Sequence, residues 1–393
     1  NMVEKNVYML QGLGGTGKAM PKNIEIPTPD GLKKLGDIKV GDYVFDRLGK
    51  PTLVSGVYPQ GMLDAYEVTL GDGRKTVCND EHLWSYYTSK GNLKTVTLRQ
   101  MIDKGLMDRA GYRYKIPVAE AVEYEKADLR IDPYVLGALI GDGACKERAL
   151  TICSDDEFVV KEVSELIGAG GYKRNSLNNF SWTFNLKEPF LGESGIRYLF
   201  HNQDLLEYYP EVSTHAHEKR IPREFLYSSV EQRMSLVQGL LDTDGYILDS
   251  NRANVSYSSC SYGLILDFKE LLGSLGYQST ICVDERDGKR TGYSLNINIP
   301  NEEKHKLFRL PRRKDIALKY KDVKKNRWYH RVAISDIKNL NKKEDMVCIM
   351  VENEEHLFLA NDFIVTHNTS VVKAFLNAVE AGGYQFSSCA LSG

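Results

Sequence analysis

A glycine-rich loop that could hold a nucleotide phosphate lies near the start of the sequence but stops one residue short. It runs from Gly12 to Gly17 and Lys18, and in such loops the lysine is followed by Ser or Thr, whose hydroxyl binds Mg²⁺. Here Ala19 follows, and alanine has no hydroxyl. A suitable hydroxyl occurs at Thr369, far along the chain. Joining Lys18 to Thr369 would therefore complete a nucleotide-binding loop.

The sequences on either side of this join agree with it. Residues 5–10 have the character of a strand, and residues 371–379 carry apolar side chains at helical spacing. Strand, glycine loop and helix is the context that the motif requires. We therefore predict that residues 1–18 and 369–393 are fragments of one ATP-binding protein, and that residues 19–368 interrupt it. ATP would bind only after the join. The alternative, an ATPase with a regulatory domain inserted in its loop, leaves the lysine and the hydroxyl apart.

The end of the interrupting segment resembles the end of an intein, a protein segment that excises itself and joins its flanks. His367 and Asn368 stand directly before the hydroxyl residue Thr369. The resemblance implies cyclisation of Asn368 and ligation of Lys18 to Thr369, with no cofactor for splicing. The joined flanks resemble the first ATPase motif of superfamily 1 DNA helicases, which implies a helicase host.

Composition limits the possible partners. The chain has 393 residues, 26% of them charged, and a formal net charge of −2, so any nucleic-acid surface must be local. No apolar run approaches about 18–20 residues, so we predict no membrane partner. Seven cysteines without paired spacing predict free thiols in a reducing compartment. We therefore expect a cytoplasmic monomer.

Residues 19–128 resemble the first part of an intein splicing domain, the all-β, horseshoe-like Hint fold. The segment around His82 resembles the intein block that carries a catalytic histidine. The resemblance implies that His82 protonates the nitrogen released from the Lys18–Ala19 bond, and an imidazole suits this role because its pKa is ordinarily near neutrality. Asn79 stands where a threonine is usual, and we expect it to hydrogen-bond the scissile amide.

The residue types predict which side chain attacks first. Most inteins begin with Cys or Ser, whereas Ala19 cannot act as a nucleophile. Trp84, Cys348 and Thr366 stand at three positions that together resemble the class 3 inteins. That resemblance implies that Cys348 attacks the Lys18 carbonyl, with Trp84 and Thr366 positioning and activating it. The alternative is an ordinary intein whose first nucleophile has been replaced by alanine, leaving a precursor blocked for splicing.

Residues 327–368 resemble the second part of the splicing domain. The resemblance implies that the Thr369 hydroxyl takes the acyl group from the first intermediate. His367 and His356 would assist by proton transfer while Asn368 cyclises.

The middle of the chain contains a repeated pattern that resembles the two helices of LAGLIDADG homing endonucleases. Its copies are residues 134–143 and 236–245. Gly137 and Gly141 leave one face of the first helix bare, and Gly239 does the same for the second, so the helices can approach closely. The resemblance implies an α/β domain with a pseudo-two-fold axis, and a mixed fold for the whole chain.

We predict that residues 129–326 form this endonuclease domain. Each helix ends in an acid, and packing the helices would bring Asp142 and Asp244 together, where a cation between them relieves their repulsion. That arrangement suits Mg²⁺ and phosphodiester cleavage. Residues 219–222 resemble the Lys-x-Ile-Pro block of this family. The resemblance implies that Lys219 stabilises charge at the scissile phosphate, and that the substrate is double-stranded DNA at the host gene site without the insertion. The basic residues in 304–327 could contact DNA phosphates or form a solvated surface.

Overall fold

The chain divides into two compact units, and the second interrupts the first in sequence. Unit 1 comprises the residues up to Val118 and those from Arg331, and unit 2 comprises Ala119–His330. The predicted range 129–326 lies within unit 2. The computed structural model describes residues 18–143, 150–174, 180–184, 208–212, 214–250, 253–285, 288, 290–320 and 329–367.

Strands form most of unit 1 and two sheets of unit 2. In chain order they are β1 Met20–Pro21, β2 Glu25–Thr28, β3 Gly31–Lys34, β4 Tyr43–Phe45, β5 Pro51–Leu70, β6 Lys75–Cys78, β7 Leu83–Tyr87, β8 Leu93–Thr97, β9 Met107–Asp108, β10 Gly111–Tyr112, β11 Lys115–Pro117, β12 Thr151–Cys153, β13 Tyr172–Arg174, β14 Ser181–Phe184, β15 Gly245–Ile247, β16 Val255–Ser259, β17 Gln278–Asp284, β18 Gly292–Asn298, β19 Arg331–Val351, β20 Leu357–Ala360 and β21 Ile364–His367.

Helices lie mainly in unit 2. They are α1 Leu98–Lys104, α2 Pro133–Asp142, α3 Glu157–Leu166, α4 Arg223–Leu226, α5 Val230–Thr243, α6 Tyr262–Ser274, α7 Asn301–Lys304 and α8 Pro311–Lys319, with 3₁₀ turns at Leu35–Asp37 and His305–Leu307. Across the described residues, none of these helices is long and apolar enough to cross a membrane. The mixed fold predicted from the sequence is confirmed.

Unit 1 is built on two long antiparallel strands, β5 and β19. The sheet order is β1-β19-β5-β4, with β11 also paired to β19 and β6 to β5. Along the first residues of β5, buried side chains such as Thr52 and Val54 alternate with more exposed ones, because successive side chains of a strand point to opposite faces. The buried face forms a core that includes Val68 and the fully buried Trp84.

Unit 2 is organised on the helix pair α2 and α5. A Cβ on Gly239 would lie 2.2 Å from the Tyr134 carbonyl oxygen, and one on Gly137 would lie 2.6 Å from that of Leu236. Real Cβ contacts are longer than this, so the two backbones approach as closely as the glycines allow. At the start of α5, the side chains of Ser229 and Gln232 each accept a hydrogen bond from the other residue's backbone amide. This capping box satisfies amide groups that the helix leaves free.

Residues 119–128, which the sequence placed with the first splicing segment, pack in unit 2. The fully buried Arg233 donates to the carbonyl oxygens of Val122 and Ser274, and the Val122 amide donates to Ser274 O at 2.8 Å. These bonds join positions far apart in sequence, so no local pattern in 119–128 predicts them. A buried guanidinium must be hydrogen-bonded to be tolerated, and this segment supplies one of its acceptors.

Candidate functional sites

The Lys18–Ala19 amide is held by a side chain in the described part of unit 1. Ala19 is fully buried, and its amide nitrogen donates to Asn79 Oδ1 at 2.9 Å. In return the Asn79 amide donates to Ala19 O at 3.1 Å. Asn79 directly follows β6, so the strand fixes its position. The two bonds orient the amide nitrogen on one side of the predicted splice junction.

Strand pairing brings Cys348 to the same junction. β1 is antiparallel to β19, with Met20 opposite Val347. The same register, continued by one residue, sets Cys348 opposite Ala19. Opposed residues in antiparallel strands have Cα atoms about 4.5–5.5 Å apart. Cys348 is buried. The extended register therefore places a protected thiol across from the residue whose peptide bond it is predicted to attack.

His82 is hydrogen-bonded to Thr366, 284 residues away. The distance from His82 Nε2 to Thr366 Oγ1 is 2.6 Å, and both side chains are buried. His82 Nδ1 makes no hydrogen bond within the described residues. Burial, and to a smaller degree the charges of His367 and Lys18, lower the pKa of His82 to about 3. The expectation of a pKa near neutrality is therefore wrong, because it took no account of desolvation. At neutral pH the ring is uncharged.

Trp84 packs against the His82 ring. Their ring centroids are 5.8 Å apart in an edge-to-face arrangement, which is a favourable geometry for aromatic pairs. The indole therefore fixes the plane of the imidazole. Its predicted role of positioning Cys348 stays a prediction.

The last described strand of unit 1 carries Thr366 and His367 side by side. Strand β21 pairs with β20, placing His367 opposite Leu357. The His356 and His367 rings are 6.1 Å apart between centroids, so both imidazoles approach the end of the segment. The remaining predicted residues at the junctions and in the loop lie outside the described residues: Gly12, Gly17, Asn368 and Thr369.

In unit 2 the two predicted acids lie at the ends of the packed helices. Asp142 is the last residue of α2 and Asp244 caps α5. Burial and the nearby Asp244 raise the pKa of Asp142 to about 7, and burial also raises the pKa of Asp244. The Lys219 ammonium donates to the Ile140 carbonyl oxygen at 2.6 Å and lowers the pKa of both acids. The structure thus brings together the three residues predicted for this site.

Sequence reasoning missed a second cation at this site, Arg313. It donates to the carbonyl oxygens of Thr243, at 3.1 Å, and Leu241. Its charge lowers the pKa of both Asp142 and Asp244. Lys219 and Arg313 thus have the same role at the C-terminal ends of α2 and α5, respectively. Each donates hydrogen bonds to the last carbonyl oxygens of its helix, an end that attracts cations. The internal repeat was the signal that could have indicated a second cation.

Most cations of the basic stretch 304–320 have partners inside unit 2. The pairs are Lys304 with Asn301, Lys306 with Glu303, Arg309 with Glu162, Arg312 with Asp156, and Lys319 with Asp249. Cations that already have partners are less available to DNA phosphates. For the described part of the stretch, the pairing therefore favours a solvated surface over a DNA contact. Residues 321–327 lie outside it.

Acid should destabilise unit 1 through His82. The pKa of this residue is about 3 in the folded chain and near 6.5 ordinarily. Below pH 6.5 the unfolded chain takes up a proton here that the folded chain does not. The free energy of unfolding should therefore fall as pH drops from 6.5 towards 3, by about 1.4 kcal/mol per pH unit in mid-window. Urea titrations at several pH values, followed by Trp84 fluorescence, measure this slope.

The chain must stay whole and Trp84 must be the sole tryptophan for that measurement. The background therefore carries Cys348→Ala, Asn368→Ala, Trp182→Phe and Trp328→Phe. In this background, His82→Gln should flatten the slope between pH 6.5 and 3. An unchanged slope would show that other groups cause the acid sensitivity.

Part of unit 2 matches a known protein family. Residues 231–309 match the family model described as a LAGLIDADG-like domain. That range includes Asp244 and α5 from its second residue onward, and it lies in unit 2. The predicted splice junction with Ala19 lies in unit 1. Unit 2 therefore contains a LAGLIDADG-like domain.

The chain is also similar to a helicase sequence. It is 26% identical over 391 residues to the replicative DNA helicase DnaB of Mycobacterium intracellulare, a match that covers 93% of this chain. The match covers 61% of the helicase, so the chain spans about three fifths of its length.

Two solved structures match parts of the chain. A gp41-1 intein with three substitutions is 28% identical, with a TM-score of 0.20, over 26% of this chain and 69% of that one. Mesophilic variants of the homing endonuclease I-DmoI are 15% identical, with a TM-score of 0.31, over 48% of this chain and 97% of theirs.

Proposed function

We propose that the chain excises residues 19–368 and ligates Lys18 to Thr369, with Cys348 as the first nucleophile. The observation that carries the proposal is the register of β1 on β19, which sets Cys348 opposite Ala19. The bond from the Ala19 amide to Asn79 supports it, because an oriented amide nitrogen is ready to leave.

In the first step the Cys348 sulfur attacks the Lys18 carbonyl carbon as a thiolate. The bond from that carbon to the Ala19 nitrogen breaks, leaving a thioester and a free amine. The thiol proton ends on the amine. The hydrogen-bonded pair of Thr366 and His82 can relay it, because a neutral imidazole accepts at one nitrogen and donates at the other. No metal or other cofactor enters this step.

The later steps follow the class 3 resemblance. The Thr369 hydroxyl takes the acyl group and returns the thiol of Cys348. The side-chain amide nitrogen of Asn368 then attacks its own carbonyl, which releases the Thr369 amine and leaves a cyclic imide. His367 and His356 would transfer the protons. An acyl shift from oxygen to nitrogen at Thr369 completes the new peptide bond, and with it the phosphate-binding loop of a helicase host.

Intact mass spectrometry of the expressed chain tests this proposal against the blocked-precursor alternative. We expect ligated flanks and a free segment of residues 19–368 from the parent chain. If the parent stays whole while Ala19→Cys gives ligation, the chain is an ordinary intein that has lost its first nucleophile.

A second activity, cleavage of double-stranded DNA, is proposed for unit 2. Asp142 and Asp244 fit Mg²⁺, since their mutual repulsion favours a cation and magnesium sites often use one or two carboxylates with substrate phosphates. Among the described residues no group of three or more His, Cys, Asp or Glu side chains suits a metal, so substrate phosphate and water would have to complete the ligands of the acid pair. Bound Mg²⁺ would neutralise charge at the phosphodiester. Lys219 and Arg313 add positive charge on either side of the acids.

Removing one acid should abolish DNA cleavage. The substrate is a plasmid carrying the joined host sequence without the insertion, and the assay contains Mg²⁺. We expect Asp142→Asn or Asp244→Asn to lower the cleavage rate by about 100-fold or more, because one carboxylate holds the ion poorly. Asp249→Asn, an exposed acid bonded to Lys319, is the control and should cleave normally. Equal rates for all three variants would contradict the assignment.

A further inference from the structure

A buried ion pair in unit 1 has no part in the predicted chemistry. It contacts the turn that precedes the strand with the predicted catalytic residues Thr366 and His367. Asp72 and Arg74 are both buried, in the turn between β5 and β6. Arg74 Nε donates to Asp72 Oδ2 at 2.9 Å, and the Arg74 amide donates to Asp72 Oδ1 at 3.1 Å. The carboxylate therefore fixes the direction of the guanidinium.

The free edge of that guanidinium binds a second turn, 288 residues away. Arg74 Nη1 donates to the Asp362 carbonyl oxygen at 3.0 Å and to that of Phe363 at 3.4 Å. This turn joins β20 to β21, and β21 begins at the next residue, Ile364. Thr366 and His367 follow within four residues of the contact.

The bound turn has an unfavourable backbone. Asn361, Asp362 and Phe363 have φ angles of 22°, 44° and 60°, and left-handed conformations are disfavoured for residues with a side chain. Such a run persists only where the surroundings determine it. Besides Arg74, the Asn361 side chain accepts from the Glu25 amide at 3.1 Å, and the Asn361 amide donates to Glu25 O at 2.9 Å.

Arg74 also lies next to the strand that serves the other junction. Strand β6 begins at Lys75, and the residue after its end is Asn79, which holds the Ala19 amide. The Arg74 guanidinium thus belongs to the residue directly before β6, the strand that leads to Asn79 and the first junction. It also contacts the turn that sets the position of Thr366 and His367.

We propose that Arg74, oriented by Asp72, is a positioning residue that fixes strand β21 and so controls the steps at the C-terminal junction. The inference rests on the proposed splicing function. Its contacts are with carbonyls of the turn, whereas the nucleophile Cys348 and the Ala19 amide are held by β1, β19 and Asn79. The first step uses β21 only through the Thr366 hydroxyl, which His82 also holds, whereas the C-terminal steps use His367 and the residues that follow it. Loss of Arg74 should therefore slow C-terminal release more than thioester formation.

The two steps can be measured separately. Hydroxylamine cleaves the thioester at Cys348 and reports the first step, while release of residues 369–393 reports the second. For Arg74→Met we expect C-terminal release to fall roughly 10- to 100-fold, because small misplacements of catalytic groups have effects of that size. Hydroxylamine cleavage should fall much less. Arg74→Lys should recover part of the release, since one ammonium can reach some of the same acceptors.

The control is Lys75→Met, which removes an exposed ion pair with Glu67 from the neighbouring residue and should leave both steps unchanged. If Arg74→Met slows both steps equally, in proportion to a lower melting temperature, Arg74 contributes stability alone and the inference is overturned. Unchanged release would also overturn it. If the parent chain itself performs neither step, the proposed function fails instead.

Discussion

Replacing Cys348 by alanine should stop both ligation and cleavage at the Lys18–Ala19 bond. We expect the first step to slow by on the order of 10³-fold or more, because no other nucleophile is in register with Ala19 among the described residues. Intact mass spectrometry should show the whole chain, or a chain that has lost only residues 369–393. Cys348→Ser should keep a small part of the rate, since a hydroxyl is a weaker nucleophile at neutral pH.

Cys78 provides a matched control for that substitution. It is also a buried thiol of unit 1, and burial raises its pKa to about 12, which keeps it protonated and inert. It precedes Asn79 but lies on β6, where it pairs with Tyr66 and not with β1. Cys78→Ala should therefore still ligate. If Cys78→Ala blocks ligation and Cys348→Ala does not, the assignment of the nucleophile is wrong.

Adding one methyl group at Gly239 should disrupt unit 2. The Cβ of an alanine would lie 2.2 Å from the Tyr134 carbonyl oxygen, so the two helices must separate. We expect Gly239→Ala to lower the free energy of unfolding of unit 2 by about 3 kcal/mol, the cost of overpacking a close contact. DNA cleavage should be lost with it, because Asp142 and Asp244 depend on how the helices pack. Urea unfolding followed by Trp182, which is buried in unit 2, measures the stability.

A glycine outside the helix contact gives the comparison. At Gly292 in β18, a Cβ would meet its nearest neighbour, Asp284, at an ordinary 3.8 Å. Gly292→Ala should be close to neutral, or slightly stabilising because it restricts the unfolded chain. Equal unfolding midpoints for the two variants would show that the helices adjust without cost.

The glycine contact illustrates what a short sequence pattern can predict. Gly137 and Gly239 sit at the positions where two helices must meet, and the structure shows backbone against backbone there. The acids at the helix ends follow from the same pattern, since a helix fixes the direction of its last residues. The repeat indicates a second cation but not the residue that supplies it, because Arg313 reaches the site from a later helix.

The residue types at both junctions and the repeated acid-ended helices are visible in the amino-acid order, because those features depend on local order and spacing. Folding of the whole chain then brings distant residues together. Asn79 reaches Ala19 across 60 residues and His82 reaches Thr366 across 284. It also decided the low pKa of His82 and the contact of Arg74 with the turn at residues 361–363. Long-range strand register and desolvation arise only when the whole chain packs, so no local pattern records them.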